Sequence, residues 1–174
     1  MADHSENFLR AVIKSLRDVV GPAVNAGDPM AQEQLALSIS TLEFLQSRLP
    51  RLHARAVFEL EHHLRLAKDV LAQLRGAEAA QDLAKSVEYG DQVIAVPGVD
   101  DSVLTRATAA IAADLRVLLD ADIEESARAR AERTIIAAMA ERITFERAWY
   151  LPLGFDPSPL SAPALDDVLP VHAG

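Results

Sequence analysis

Histidine and glutamate side chains between residues 43 and 63 have the types and spacing that could support chemistry. Glu59 and His62 form one Glu-x-x-His pair, which is half of the signature of a carboxylate-bridged di-metal site in a helical bundle. Such a site needs a second copy of the pair, and the sequence has none. Helical spacing also places Glu59 on the flank of its helix and His62 away from the apolar face. We therefore predict no metal site and no cofactor.

His53 and His63 are the histidines that helical spacing places on or near a buried face. A histidine there could be a ligand, a proton carrier or a core residue bonded to a carbonyl. Because the chain has no cysteine and no matched carboxylate at ligand spacing, the sequence favours the bonded core histidine. Glu43 lies at the edge of the preceding helix's apolar face and could be their partner or a general base. These three residues mark a possible pocket between helices.

Common catalytic motifs are missing from the sequence. It has no Gly-x-Gly-x-x-Gly or Walker loop, no His-Glu-x-x-His, no Gly-x-Ser-x-Gly and no calcium loop. Their absence argues against a nucleotide-dependent enzyme, a zinc protease and a serine hydrolase. It leaves open an enzyme that builds its site from scattered residues, but no catalytic residue can be assigned.

The charge of the chain is unevenly distributed. Residues 1–75 carry nine basic and nine acidic side chains, whereas residues 76–174 carry eight basic and seventeen acidic ones, and the net charge is −9. Because an acidic surface repels phosphate backbones, we predict no nucleic-acid partner. The arginines of the run at residues 127–133 are expected to point to different sides of a helix and to form local ion pairs.

The sequence predicts a soluble, cytoplasmic protein. No signal peptide is visible, and no run approaches the ~20 apolar residues that span a bilayer. The absence of cysteine fits a reducing compartment. We therefore predict no membrane association.

Residues 57–74 contain the clearest structural pattern in the chain. Apolar side chains recur there at steps of three and four, which keeps them on one face of a helix. That face must be buried for the helix to be stable, so other helices must pack against it. The apolar face is formed by Val57, Leu60, Leu64, Ala67, Leu71 and Leu74.

Similar patterns and capping signals predict further helices along the chain. Asp28-Pro29 is a strong start signal, Gly21-Pro22 should end or kink the first helix, and a break is expected at residues 120–122. Residues 92–98 could form a strand, but a packed loop is favoured. The predicted helices cover residues 3–20, 29–48, 51–75, 77–89, 101–119 and 122–150.

The predicted fold is all-α, with a mostly antiparallel bundle of five or six helices in one domain at residues 1–150. Five prolines in residues 151–174 should prevent helix formation there. This tail also carries several large apolar side chains, so we expect it to pack on the bundle or on a partner subunit.

Apolar side chains beyond what one bundle can bury predict a homodimer. Met30, Leu37 and Phe44 form a second apolar face on the second helix. Phe58 lies opposite the main face of the third helix, and Trp149 and Phe155 extend this set near the tail. These six residues are the predicted interface.

Three segments resemble an uncharacterised bacterial all-helical family. They are LRDVVGPAV at residues 16–24, QLALSI at residues 34–39 and AERT at residues 131–134. Members of that family are encoded near acyl-CoA dehydrogenases and aminoglycoside-phosphotransferase-like kinases. The resemblance implies an accessory role in acyl-CoA or lipid metabolism and assigns no catalytic residue.

Two functions of different class follow from these observations. The first is a non-enzymatic interaction or accessory protein, favoured by the missing motifs and the surplus apolar surface. The second is a small-molecule-binding protein or enzyme with an apolar pocket between helices, near His53 and His63.

Overall fold

The computed structural model of the protein describes residues 4–74 and 80–169. These residues form helices, turns and loops with no strand, so the predicted all-α fold is confirmed. We number the six long helices in chain order. They are α1 (His4–Ser15), α2 (Pro29–Arg48), α3 (Leu52–Gln73), α4 (Gln81–Ile94), α5 (Asp101–Asp120) and α6 (Glu125–Tyr150).

Side-chain caps fix the ends of several helices where the sequence predicts them. The Asp28 carboxylate accepts a hydrogen bond of 3.0 Å from the Ala31 amide at the start of α2. The predicted break between α5 and α6 is confirmed at residues 121–124. There the Arg128 guanidinium donates to the Leu119 carbonyl and, over 2.8 Å, to the Ala121 carbonyl. A cation at that position satisfies the free carbonyls at the end of α5.

Two predicted boundaries are wrong. Residues 92–94 belong to α4, because Val93 is buried on the same helical face as Leu83 and Val87. The tail contains a short helix at Leu165–Val168, because the window between Pro163 and Pro170 holds no proline. Predicted helical residues 75 and 77–79 and tail residues 170–174 lie outside the described residues.

The chain divides into two compact units. Unit 1 comprises Met1–Arg51 and Tyr150–Ser161, and unit 2 comprises Leu52–Trp149 and Ala162–Gly174. In unit 1, α1 packs against α2, and in unit 2 the helices α3, α4 and α5 pack on one another. The prediction of one domain at residues 1–150 stays a prediction.

The core of unit 2 forms around α3. Four of the six residues on the predicted apolar face are buried, and Val57 and Leu71 are half-buried. Leu66 and Val70 are buried as well, so α3 is covered over more of its circumference than one face. Other buried apolar residues in this core include Leu83, Val87, Leu104, Ala107, Ile111, Leu115, Leu118, Ala127 and Ala131.

Gly90 allows α4 to approach its neighbours closely. A Cβ at this position would lie 2.8 Å from Leu64 Cδ2 and 3.2 Å from Ile111 Cδ1. Both distances are shorter than ordinary van der Waals contact. The glycine therefore determines how tightly α4 fits between α3 and α5.

Unit 1 contains little buried apolar surface. Helix α1 continues through a π-helical segment, Leu16–Val20, and ends in a turn at Gly21–Ala23. Among the described residues of unit 1, only Ile13 and Arg48 are buried. Several large apolar side chains of α1 and its π-helical segment are therefore exposed, among them Phe8, Val12 and Val19.

Candidate functional site

A hydrogen-bonded cluster of His62, Arg65 and Glu141 joins α3 to α6 in unit 2. His62 Nδ1 lies 3.1 Å from Glu141 Oε2. Arg65 Nη2 donates to both carboxylate oxygens, at 2.7 Å and 2.9 Å. Because a carboxylate only accepts hydrogen bonds, Nδ1 carries a proton, and in the neutral form of the ring Nε2 is left as an acceptor.

His62 is buried, contrary to its predicted place away from the apolar face. Its exposed fraction is 2%, because α6 covers this second side of α3. Its neighbours include Phe58, whose ring centroid lies 6.2 Å away, and His63 at 5.7 Å. The Nε2 atom is buried and has no hydrogen-bond partner among the described residues. An unsatisfied buried polar atom costs about 1–3 kcal/mol, so this nitrogen calls for an explanation.

Glu141 is held in its charged form. Partial burial raises the pKa of its carboxyl, but the hydrogen bonds from Arg65 and His62 outweigh that effect and leave the pKa below its usual value. A charged Glu141 keeps the Nδ1 proton of His62 in place. The carboxylate thereby fixes both the orientation and the tautomer of the ring.

A groove runs beside this cluster between α3 and α6. Its central cavity has a volume of about 380 Å³ and is lined by residues that include His62, Asp69 and Glu141. A second cavity of about 320 Å³ shares Thr134 and Ala137 with the first. A third, of about 410 Å³, shares Glu141 and extends to Phe58 and Phe145. We call these three neighbouring cavities, which share lining residues, the α3–α6 groove.

His53 and His63, two of the three predicted pocket residues, lie in different surroundings within unit 2. His63 is a core histidine, as predicted, and its Nδ1 donates to the Glu59 carbonyl over 2.7 Å. Burial lowers the pKa of its imidazole. His53 pairs with Asp101 at 2.6 Å, with half of its side chain exposed. The prediction that His53 is buried is wrong, because it lies in the first turn of α3, about 15 Å along the helix axis from His63.

Glu43, the third predicted pocket residue, lies in unit 1. Its carboxylate accepts a hydrogen bond of 2.6 Å from Arg17 Nη2, and its side chain is partly exposed. It therefore forms an ion pair within its own unit. The proposed partnership of Glu43 with His53 or His63 stays a prediction.

The six predicted interface residues fall into two groups. Met30, Leu37 and Phe155 are exposed. The other three pack within their own units. Phe44 stacks on Tyr150 in unit 1 with ring centroids 5.7 Å apart, Phe58 stacks on Phe145 in unit 2 at 4.2 Å, and Trp149 is buried beside Phe145.

Glu141 is the site residue that the sequence analysis does not identify. It lies 79 residues from His62 along the chain, too far for any local motif. One signal was present: Glu141 follows Ala138 by three residues and precedes Phe145 by four, so it shares a helical face with them. A carboxylate on an apolar face is a candidate for pairing with a buried base.

The cluster resembles a general base in outline, but it lacks a nucleophile. A carboxylate orients one ring nitrogen and leaves the other as an acceptor, as in hydrolase triads. However, the nearby hydroxyl of Thr134 donates to the Arg130 carbonyl, and that of Thr144 donates to the Ala140 carbonyl. Both hydroxyl protons therefore already have acceptors within α6. The arrangement is better suited to binding than to nucleophilic catalysis.

No group of three or more metal-ligating side chains occurs in the described part of the chain. Across the same residues, no helix has the length and apolar character needed to cross a bilayer. No protein-family model, curated protein or solved structure matches this chain.

Proposed function

We propose that the chain is an interaction protein that forms a homodimer through unit 1. The observation that supports this proposal is the apolar surface of α1 and α2. Phe8 is 71% exposed, Val19 67% and Met30 65%. Scattered exposed apolar residues are normal, but a helix pair that buries only one of its described large apolar side chains, Ile13, is typical of an interface.

Unit 1 has too little core to account for its own apolar sequence. The pair α1 and α2 buries one apolar side chain, Ile13, among its described residues. Each large aliphatic side chain gains about 1.5–3 kcal/mol when it is fully buried. Covering Phe8, Val12, Val19, Met30 and Leu37 would therefore add substantial stability, and a second copy of the same surface can provide that cover.

The charge distribution favours a second copy over an unrelated partner. Unit 1 has five basic and seven acidic residues, whereas unit 2 has twelve basic and nineteen acidic ones. Two chains that meet through their nearly neutral units bring few like charges together. A two-fold arrangement also makes a single surface self-complementary.

An accessory role in acyl-CoA metabolism is implied by the family resemblance alone and stays a prediction. An accessory protein can bind a further protein partner. It needs no catalytic residue of its own. The alternative of an enzyme with an apolar pocket is less well supported, because the central cavity is bordered by the charged residues Arg65, Asp69 and Glu141.

Sedimentation equilibrium at micromolar concentration tests the homodimer. We expect the mass of two chains for the native protein and of one chain for Val19→Glu, because the new charge would be buried without a partner. Ile136→Glu is the matched control, since Ile136 is similarly exposed, at 71% against 67% for Val19, but lies on α6 in unit 2.

A native mass of one chain would contradict the proposal. Dimers that persist in both Val19→Glu and Leu37→Glu would show that unit 1 does not provide the contact. Dissociation in Ile136→Glu alone would place the contact on unit 2 instead.

A further inference from the structure

We infer that the α3–α6 groove binds a small organic anion that also carries a hydroxyl or amine group. The site is independent of the proposed dimer, because all of its residues belong to unit 2. Two features define the ligand: a cationic end of the groove and a histidine in its central lining, His62, whose buried Nε2 has no hydrogen-bond partner among the described residues.

Arg130 and Arg133 form the cationic end. Both line the 320 Å³ cavity together with Gln73. Arg130 donates to Ser126 Oγ over 3.1 Å, and neither arginine forms an ion pair with a carboxylate in the described ranges 4–74 and 80–169. In a chain of net charge −9, two adjacent guanidinium groups without a carboxylate are suited to an external anion.

The shared orientation of these arginines corrects a sequence prediction. Residues three apart on a helix lie about 60° apart around its axis, so Arg130 and Arg133 occupy one side of α6. Arg128 alone points elsewhere, toward the end of α5. The run is therefore partly an anion-binding surface.

His62 provides the second feature. It lines the central cavity, and no described residue forms a hydrogen bond with its buried Nε2. Because Glu141 fixes a proton on Nδ1, Nε2 of the neutral ring can only accept a hydrogen bond. The complementary ligand group is a donor, which a hydroxyl or an amine provides and a bare carboxylate does not.

The dimensions of the groove limit the ligand to a small molecule. The cavity lined by the two arginines and the central cavity share Thr134 and Ala137. Glu141, at the far end of the central cavity, follows Thr134 by seven positions, which corresponds to about 10 Å along the axis of α6. Cavities of a few hundred Å³ are at the lower end of the range for small-molecule sites. The anionic group can be a phosphate monoester or a carboxylate, since a guanidinium pairs with either.

Four probes separate the two features. Sorbitol 6-phosphate and gluconate carry an anion and hydroxyls on a six-carbon chain that can span about 10 Å, hexyl phosphate carries only the anion, and sorbitol only the hydroxyls. Binding is measured by calorimetry, and the imidazole nitrogen resonances of His62 are followed by NMR. We expect both hydroxylated anions to bind and to shift Nε2, hexyl phosphate to bind without that shift, and sorbitol to bind at least about tenfold more weakly. The hydroxylated anion that binds more tightly shows whether the anionic group of the ligand is a phosphate monoester or a carboxylate.

Two variants test the site without removing buried groups. Arg130→Gln should weaken binding by about tenfold or more. Its control is Arg106→Gln, since Arg106 makes the same kind of bond to a serine four residues earlier. Ala137→Trp should fill the groove and abolish binding while leaving the melting temperature unchanged, because Ala137 is exposed.

Several results would overturn the inference. One is the absence of any saturable binding by either hydroxylated anion at millimolar concentration. Another is equal binding to the native protein and Ala137→Trp. A third is equal affinity in Arg130→Gln and Arg106→Gln. Binding of sorbitol 6-phosphate with no change at His62 Nε2 would also contradict the inference, since it would leave the buried nitrogen without a role.

Discussion

Units 1 and 2 use the same kind of amphipathic helix but bury it to different extents. In unit 2, Leu60, Leu104 and Ile111 are fully buried among α3, α4 and α5. In unit 1, α1 and α2 bury Ile13 and leave Phe8 and Met30 exposed. Apolar periodicity therefore shows which face of a helix needs cover. It does not show whether that cover comes from the same chain.

The difference follows from the number of helices in each unit. A helix with apolar residues on two sides needs partners on both. In unit 2, α3 has such partners, since α4 and α5 cover one side and α6 approaches the other. In unit 1, α2 has its second apolar face at Met30 and Leu37, and both residues remain exposed.

The largest expected effect comes from truncating a core leucine of unit 2. Leu60→Ala should lower the free energy of unfolding by about 2–5 kcal/mol, because the cavity it leaves cannot collapse fully. Leu37→Ala is the same change at an exposed site of unit 1. Under dilute conditions its effect should stay within about 0.5 kcal/mol. Urea denaturation of both variants measures the contrast, and equal losses would refute it.

A substitution that enlarges a side chain tests how tightly unit 2 is packed. Overpacking in Gly90→Ala should lower the free energy of unfolding by about 1–3 kcal/mol. The higher helix propensity of alanine should offset ~1 kcal/mol of that loss. The exposed position Gln92 on the same helix provides the control, since Gln92→Ala changes helix propensity without a clash. A Gly90→Ala protein more stable than the native one would mean that Leu64 moves aside at little cost.

Removal of a helix cap tests how independent unit 1 is. Asp28→Ala should lower the free energy of unfolding by about 1 kcal/mol, because the Ala31 amide loses its hydrogen-bond acceptor. With so little core in unit 1, the loss should appear as faster amide exchange in α2, with little change in α5. Hydrogen-exchange mass spectrometry measures both helices at once. Uniformly faster exchange would show instead that the two units unfold together.

The smallest expected effect is a pH dependence that originates in the core of unit 2. Burial lowers the pKa of His63, so the unfolded chain binds its proton more readily than the folded one. The contribution of neutral His63 to the free energy of unfolding should be fully present above about pH 6.5 and should decrease as the pH drops below that value. His63→Gln should flatten this slope in denaturation curves measured between pH 5 and pH 8. An unchanged slope would mean that another group causes the dependence.

The sequence predicts the local features of the fold well, because each depends on residues within a few turns. Helix α3 follows from the spacing of Leu60, Leu64 and Ala67, and the start of α2 follows from Asp28 and its proline. The prediction fails at residues 92–94, where a short apolar run fits a strand, a loop or a helix equally well. Tertiary packing on Val93 decides between them.

The candidate site is less predictable, because it depends on a long-range contact. Helical spacing places His62 away from the apolar face of α3, and no local pattern shows that α6 covers it. The contact between His62 and Glu141 joins residues that lie 79 positions apart. Conversely, His53 continues an apolar pattern beyond the point where neighbouring helices can cover it. Whether a residue at the end of an apolar helical pattern is buried depends on where the neighbouring helices end.

The division of unit 1 between distant chain segments has a consequence for synthesis on the ribosome. Residues 150–161 complete this unit, but they follow Arg51 by about a hundred residues. At typical elongation rates of about 5–20 residues per second, α1 and α2 wait roughly 5–20 s for the segment they pack with. During that interval an incomplete unit 1 exposes even more apolar surface than the finished chain. Nascent chains should therefore depend on chaperones at their first two helices rather than at α3.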